Sequence, residues 1–154
     1  MIKVDYTVPI RRGATEVYDY VTDVERIPEW QHVAGVRKVT KHDPGALQVG
    51  SRFTMERLSR GNVATIDATV TALEPSRRFD FHTIDNDGFV GDFSTTLTGK
   101  DGSTDLRWSV RMEPAGMMYR LLQPMIAREI RKSASADFAE LRSKLEGGAA
   151  GGAI

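Results

Sequence analysis

Three histidines, His32, His42 and His82, and a scatter of carboxylates are the groups in this chain that could move a proton or hold a metal. The histidines lie far apart and lack the short spacing that brings imidazoles onto one ion. They read as surface side chains, and no metal site is expected. Glu56, Asp67, Asp80, Asp92 and Asp105 mostly alternate with apolar neighbours and so point outward. A solvated carboxylate lacks the desolvation that raises an acid's pKa, so none is cast as a general acid, and His82 is expected beside Asp80 on the solvent face. No cysteine is present. No serine sits in a nucleophile elbow, no histidine stands in a relay, and the one dense glycine run is the terminal Gly147 to Ile154. No catalytic residue is assigned and no cofactor is expected.

The polar groups that remain stand among apolar ones. Arg57 ends the alternating Phe53, Met55, Arg57 face and is a candidate anchor at the mouth of an apolar space, or a side chain snorkelling to water. Trp30 could stack on a guest and offer its N–H to a polar tip, or seal the core. Trp108 is expected inside, as packing first and ligand contact second. Tyr18 is read as core.

The elements that position these residues follow from periodicity. Ile2, Val4, Tyr6, Val8 and Ile10 alternate with polar residues as a half-buried strand does. Ala14, Val17, Tyr18 and Val21 change to helical spacing, and Asp23 is expected to cap a second short helix ending near Pro28. Six further strands are predicted near 33–42, 48–59, 62–73, 77–85, 89–99 and 103–113. They are separated by Asp43-Pro44-Gly45, Gly61-Asn62, Glu74-Pro75, Asn86-Asp87-Gly88 and Asp101-Gly102, which are turn chemistry. Connections this short favour antiparallel hairpins. Even positions Ala64, Ile66, Ala68, Val70 and Ala72 are expected to face inward, with Phe79, Phe81, Phe89, Gly91, Phe93, Thr95, Leu97, Leu106, Trp108, Val110 and Met112.

The last segment is helical. Ala127, Ile130, Ala134, Phe138, Leu141 and Leu145 share one face. Met118, Leu121, Leu122 and Met125 share a nearly opposite one, so one straight helix cannot bury both. Pro124 marks the predicted break, and the piece from Gly116 to Gln123 is expected to close over one end of a hollow between sheet and helix.

The 154 residues suit one domain, 1–146, followed by a flexible Gly/Ala tail, 147–154. Lys plus Arg and Asp plus Glu each number 21, so no net field draws the chain to nucleic acid, and no nucleic-acid partner is expected. The amino terminus lacks the apolar run of a signal peptide, and no stretch reaches membrane-spanning length, so no stable membrane insertion is expected. The absence of cysteine fits a reducing, cytoplasmic setting. A monomer or homodimer is expected.

The order of elements and several phrases resemble the polyketide cyclase/dehydrase and lipid-transport family of the START-like superfamily. The phrases are Val17-Tyr18-Asp19-Tyr20-Val21-Thr22-Asp23, Ile27-Pro28-Glu29-Trp30, Phe89-Val90-Gly91-Asp92-Phe93, Gly102-Ser103-Thr104-Asp105-Leu106-Arg107-Trp108 and Leu141-Arg142-Ser143-Lys144-Leu145-Glu146. The resemblance implies an α+β helix-grip fold, a seven-stranded curved antiparallel sheet around a long C-terminal helix, with two short helices between strands 1 and 2 and a deep apolar cavity. It implies binding of lipids, sterols, isoprenoids or polyketides, with cyclisation in a minority. This chain departs from the aromatase/cyclases in carrying Ala68 and Val70 where they carry an inward Ser and Arg.

The expected ligand is therefore an apolar or amphipathic small molecule, lined by Trp30, Phe53, Met55, Arg57, Ala68, Val70, Phe81, Phe93, Thr95, Trp108, Met118 and Leu122. A cyclase or dehydratase with Arg57, Tyr18 or Thr95 orienting carbonyls is the alternative, and an interaction module with a collapsed interior is another. An unfilled apolar void costs about 24 cal/mol per Å³, so a hollow of roughly 300 Å³ would cost on the order of 7 kcal/mol. Such a space must be filled by guest, water or side chains.

Overall fold

A computed structural model describes residues 1–59, 61–86, 88–114 and 116–152, without the side chains of Ser59 and 148–152. The expected turn centred on Asp87 and the last two tail residues lie outside the described residues. Strands β1 (Ile2–Ile10), β2 (Val36–Lys41), β3 (Arg52–Ser59), β4 (Asn62–Glu74), β5 (Arg78–Asp85), β6 (Val90–Lys100) and β7 (Ser103–Glu113) form one antiparallel sheet in the order β1-β7-β6-β5-β4-β3-β2. Between β1 and β2 lie helix α1 (Ala14–Thr22) and a short 3-10 helix (Val24–Glu29). Helices α2 (Met117–Leu121) and α3 (Gln123–Gly152) close the chain. This is the helix-grip arrangement expected from the sequence.

Local chemistry accounts for the joints. Lys100 pairs with Ser103 across Asp101 and Gly102, both at positive φ (46° and 82°), as a two-residue hairpin with the native twist requires. Gly35 holds φ +87° where its backbone passes so close to β3 that a Cβ would overlap the Leu58 carbonyl oxygen. The break before α3 is present: Leu122 donates to the Tyr119 carbonyl at 3.2 Å and ends α2. Pro124 then occupies the first turn of α3, where its missing N–H has no helical partner to lose.

Three expectations change. Asp23 makes no side-chain cap to the 3-10 helix, which starts instead from a backbone bond, Arg26 N–H to the Asp23 carbonyl at 2.9 Å. The register of β4 against β5 shifts between Val70 and Ala72, so Leu73 packs on the core, and Ala72, opposite Asp80, turns outward. Asp80 does lie on the outer face, yet it is 9% exposed rather than solvated, and the Arg78 guanidinium holds it at 2.7 Å.

The core has two parts. The larger joins α1, the 3-10 helix and the inner sheet face to Ala134, Phe138, Leu141 and Leu145 of α3. The smaller, Ile2, Val4 and Val110, lies under Ile126, Ala127 and Ile130 at the start of α3. The helix makes its close backbone approach to β1, at one edge of the sheet. Among the described residues no helix is long and apolar enough to cross a membrane.

Candidate functional site

The inner faces of β3 to β7 bring aromatic rings into a chain. Phe53 meets Phe81 edge to face at 5.4 Å, Phe81 stacks on Phe93 at 5.0 Å, and Phe93 lies 6.1 Å from Trp108. Trp108 then meets Phe138 of α3 at 5.6 Å, and Phe138 meets Trp30 at 5.4 Å and stacks on Tyr6 at 5.8 Å. The pleat explains the alignment, since Val70 opposes Phe81, Phe81 opposes Phe93, and Thr95 opposes Trp108. Offset and tilted pairs such as these suit the ring quadrupole.

Burial along this chain is uneven. Phe53, Trp30 and Phe138 are buried, whereas Ile66, Phe81, Phe93 and Trp108 are only partly buried although they lie on the inner face of the central strands. Helix α3 makes its close backbone approach at β1, the edge strand, and its Phe138 reaches Trp108 of β7, with Phe93 and Phe81 on strands farther across the sheet. Ala68, Val70, Met55 and Thr95 are buried beneath or beside these rings.

Polar groups here are few. Trp30 is 5% exposed and its Nε1 has no hydrogen-bond partner, a costly omission for a buried donor. Thr83 donates from Oγ1 to the Gly91 carbonyl at 3.4 Å. Asp137 of α3 is 3% exposed and accepts from the Val33 and Ala34 N–H groups at 2.8 and 3.0 Å. Burial raises its carboxyl above the usual value, opposed by those two hydrogen bonds and by the nearby charges of His32 and Arg57. Arg57 donates from Nε to the Ala34 carbonyl at 2.7 Å, so it fastens the loop before β2.

The sequence-selected residues therefore divide. Phe53, Met55, Ala68, Val70, Phe81, Phe93, Thr95 and Trp108 share the inner face, and Trp30 joins them through Phe138. Met118 and Leu122 do not point inward: they are 74% and 37% exposed, because α2 stands at the end of the sheet and α3 covers another part of it. Phe138, Tyr6 and Asp137 were not selected. Asp137 lies within the apolar stripe, three residues after Ala134 and four before Leu141, and a carboxylate in that position is a readable signal.

Two clefts, of about 440 and 430 Å³, lie at the opposite end of the sheet from α2, between the α1 region and the β2–β3 loop. Lys41 and Gly45 border both, with Glu25, His42 and Asp43 in one and Tyr18, Asp19 and Leu47 in the other. None of the twelve residues expected to line the site borders either. His82 Nδ1 lies 2.8 Å from Asp92 Oδ1 on the outer face, His42 contacts Thr54 at 2.7 Å, and His32 contacts the Glu29 carbonyl at 2.8 Å. No group of three or more metal-type ligands occurs among the described residues.

Comparison with known proteins agrees with this architecture. The family model described as polyketide cyclase/dehydrase and lipid transport matches residues 1–146. The Zhui aromatase/cyclase from a Streptomyces species superposes with a TM-score of 0.76 at 16% identity, covering 94% of this chain and 93% of its own. A START superfamily protein from Mycobacterium smegmatis gives 0.70 at 16% identity, covering 94% and 97%. A protein from Thermus thermophilus gives 0.74 at 12%, covering 95% and 98%. No curated protein matches the chain.

Proposed function

The chain belongs to the polyketide cyclase/dehydrase and lipid-transport family, and we propose that it binds an apolar or amphipathic small molecule between the sheet and α3. The observation that carries this reading is the incomplete burial of Ile66, Phe81, Phe93 and Trp108 on the inner face of central strands. A core built for packing alone gains by sealing such rings, at about 25 cal/mol per Å² of apolar surface. A guest with a flat or branched hydrocarbon body would cover them, and a carbonyl or hydroxyl oxygen on it could accept the spare Trp30 N–H. Entry of the guest requires the rings to shift, since they now touch one another across the interior.

Binding is favoured over catalysis because, among the described residues, the ionisable side chains on this side of the sheet are already engaged: Arg57 with the Ala34 carbonyl, Asp137 with two backbone N–H groups, and Asp85, opposite Ile66, with the Phe89 N–H at 2.8 Å. We take residues 1–146 as the functional domain and 147–154 as an appendage. Arg12 donates to the Leu145 and Glu146 carbonyls at 3.2 and 2.8 Å and so fastens α3 to the end of β1 at this point, although the helix itself continues through the Gly/Ala run to Gly152, where the sequence predicts a flexible tail.

Uptake of a fluorescent fatty-acid probe in lipid-free buffer tests the reading. Phe93→Arg, at a partly exposed position, should weaken uptake more than about ten-fold, the equivalent of roughly 1.4 kcal/mol. Phe93→Ala provides a second variant should the charge prevent folding. Unchanged affinity in a folded variant would assign the probe elsewhere.

A further inference from the structure

Exposed large apolar side chains gather at one end of this molecule. Met1, Leu58, Val63, Ile84, Met117, Met118, Leu121 and Met125 are all 39% exposed or more. The pairing register places them together: Leu58 opposes Val63, Ile84 opposes Val90, and Ile2, next to Met1, opposes Met112, so these are the tips of β3–β4 and β5–β6 and the start of β1. The α2 segment is attached to the same end, since Tyr119 meets Phe89 edge to face at 4.8 Å and the Met1 ammonium donates to Gln123 Oε1 at 3.3 Å.

Charge accompanies the apolar tip. Residues 117–132 carry Arg120, Arg128, Arg131 and Lys132 against the single acid Glu129, in a chain whose total charge is zero. Met125, Arg128 and Lys132 follow at i, i+3 and i+7 and so share one face of α3, on which all three are exposed. The helix runs from this end of the sheet toward the other, where Arg11 meets Glu146. Arg128 and Lys132 therefore stand about 5 and 10 Å behind Met125 along its axis.

We propose that this end docks on an anionic lipid bilayer, with Met117, Met118 and Leu121 in the acyl boundary and Arg128 and Lys132 among the headgroups. Met117, Met118 and Leu121 are 74–80% exposed and project outward, which suits a yielding apolar medium better than a rigid surface needing a matched socket for each. The spacing of the cations behind them matches the roughly 5–10 Å to which interfacial helices sink, and anionic headgroups supply the complementary charge. This is peripheral attachment, distinct from insertion, and it goes beyond the binding of a guest. It would set the partly exposed inner rings of the sheet close to a source of apolar ligand.

Co-sedimentation of the full chain with phosphatidylcholine vesicles, with and without a phosphatidylglycerol fraction, tests the proposal. The expected result is binding to the anionic vesicles that weakens with salt. Met118→Ser/Leu121→Ser and Arg128→Glu/Lys132→Glu should each lower it more than about ten-fold with circular dichroism unchanged. Equal binding to neutral vesicles, or none to either, overturns it. So does a wild-type dimer that becomes a monomer in Met118→Ser/Leu121→Ser without binding vesicles, which assigns the face to a second copy. Sedimentation is read without added ligand and probe uptake without lipid, so either reading can fail while the other stands.

Discussion

The two ends of the sheet are built on opposite terms. Where β1 finishes, the chain locks: Thr104 donates to the Arg12 carbonyl at 2.7 Å, and Glu146 accepts from the Arg11 backbone and side chain at 3.0 Å each and from Arg142 at 2.9 Å. Val17, Leu106 and Leu141 beside this lock are wholly buried. Where β1 begins, the α2 segment holds by a ring contact and one ammonium bond, and its apolar side chains remain in water. The smaller core of Ile2, Val4 and Val110 still holds the start of α3 at this end, so the looseness is confined to α2. The contrast separates residues that hold the molecule together from residues with nothing structural to do.

The largest effect is expected at the locked end. Leu141→Ala removes a side chain with no exposure and should cost about 3 kcal/mol in chemical denaturation. A cost below 1 kcal/mol would mean that this end is not the anchor.

Glu146→Gln comes next. Burial alone would raise this carboxyl, but the Arg11 side chain, the Arg11 backbone N–H and Arg142 outweigh it and hold the pKa at about 2 against an ordinary 4.5. A carboxyl depressed in the folded state contributes stability above its unfolded pKa, lost as pH falls toward the folded one. The variant should therefore be less stable by on the order of 1–2 kcal/mol at neutral pH, after allowance for solvent screening, with the difference fading between pH 4.5 and about 2. Denaturation followed across that window checks it.

Asp137 should behave with the opposite sign. Its raised pKa means that the folded state binds the proton more tightly, so wild-type stability should fall as pH rises from 3.8 through the elevated value. Asp137→Asn should remove that slope while costing about 1 kcal/mol at neutral pH, where the ionised carboxylate offers one oxygen to each of the Val33 and Ala34 N–H groups and the amide replaces one of those oxygens with a donor. A slope that survives in the variant would place its origin elsewhere.

The sequence made these regions unequally legible. Strand alternation, the Asp101-Gly102 turn, the α3 stripe and the break before α3 could all be read, because each is a local rule that the tertiary structure leaves in force. The bulge at Val70–Ala72 could not, since alternation continues on paper while the register slips, and Leu73 takes the core position. Burial of Asp80 could not be read either, since the i, i+2 spacing puts Arg78 and Asp80 on one strand face but does not say that the carboxylate is shielded from water. The Met118 and Leu122 error is the instructive one. Helical periodicity shows that apolar side chains share a face, but it does not say that protein covers that face.

The smallest structural effect is expected at the loose end. Met118→Ser/Leu121→Ser should change stability by no more than about 0.5 kcal/mol, since neither side chain is buried. A drop of 2 kcal/mol in a thermal melt would show that α2 is a structural lid and would remove the contrast between the ends.

Native mass spectrometry of gently purified protein, followed by organic extraction, tests the central claim most directly. The account predicts one apolar or amphipathic molecule carried per chain, or a one-to-one adduct when the stripped protein is offered fatty-acid, isoprenoid and aromatic polyketide-like compounds. A bare protein mass that stays bare with every compound would contradict it, and would mean that the rings of Phe81, Phe93 and Trp108 are packing alone.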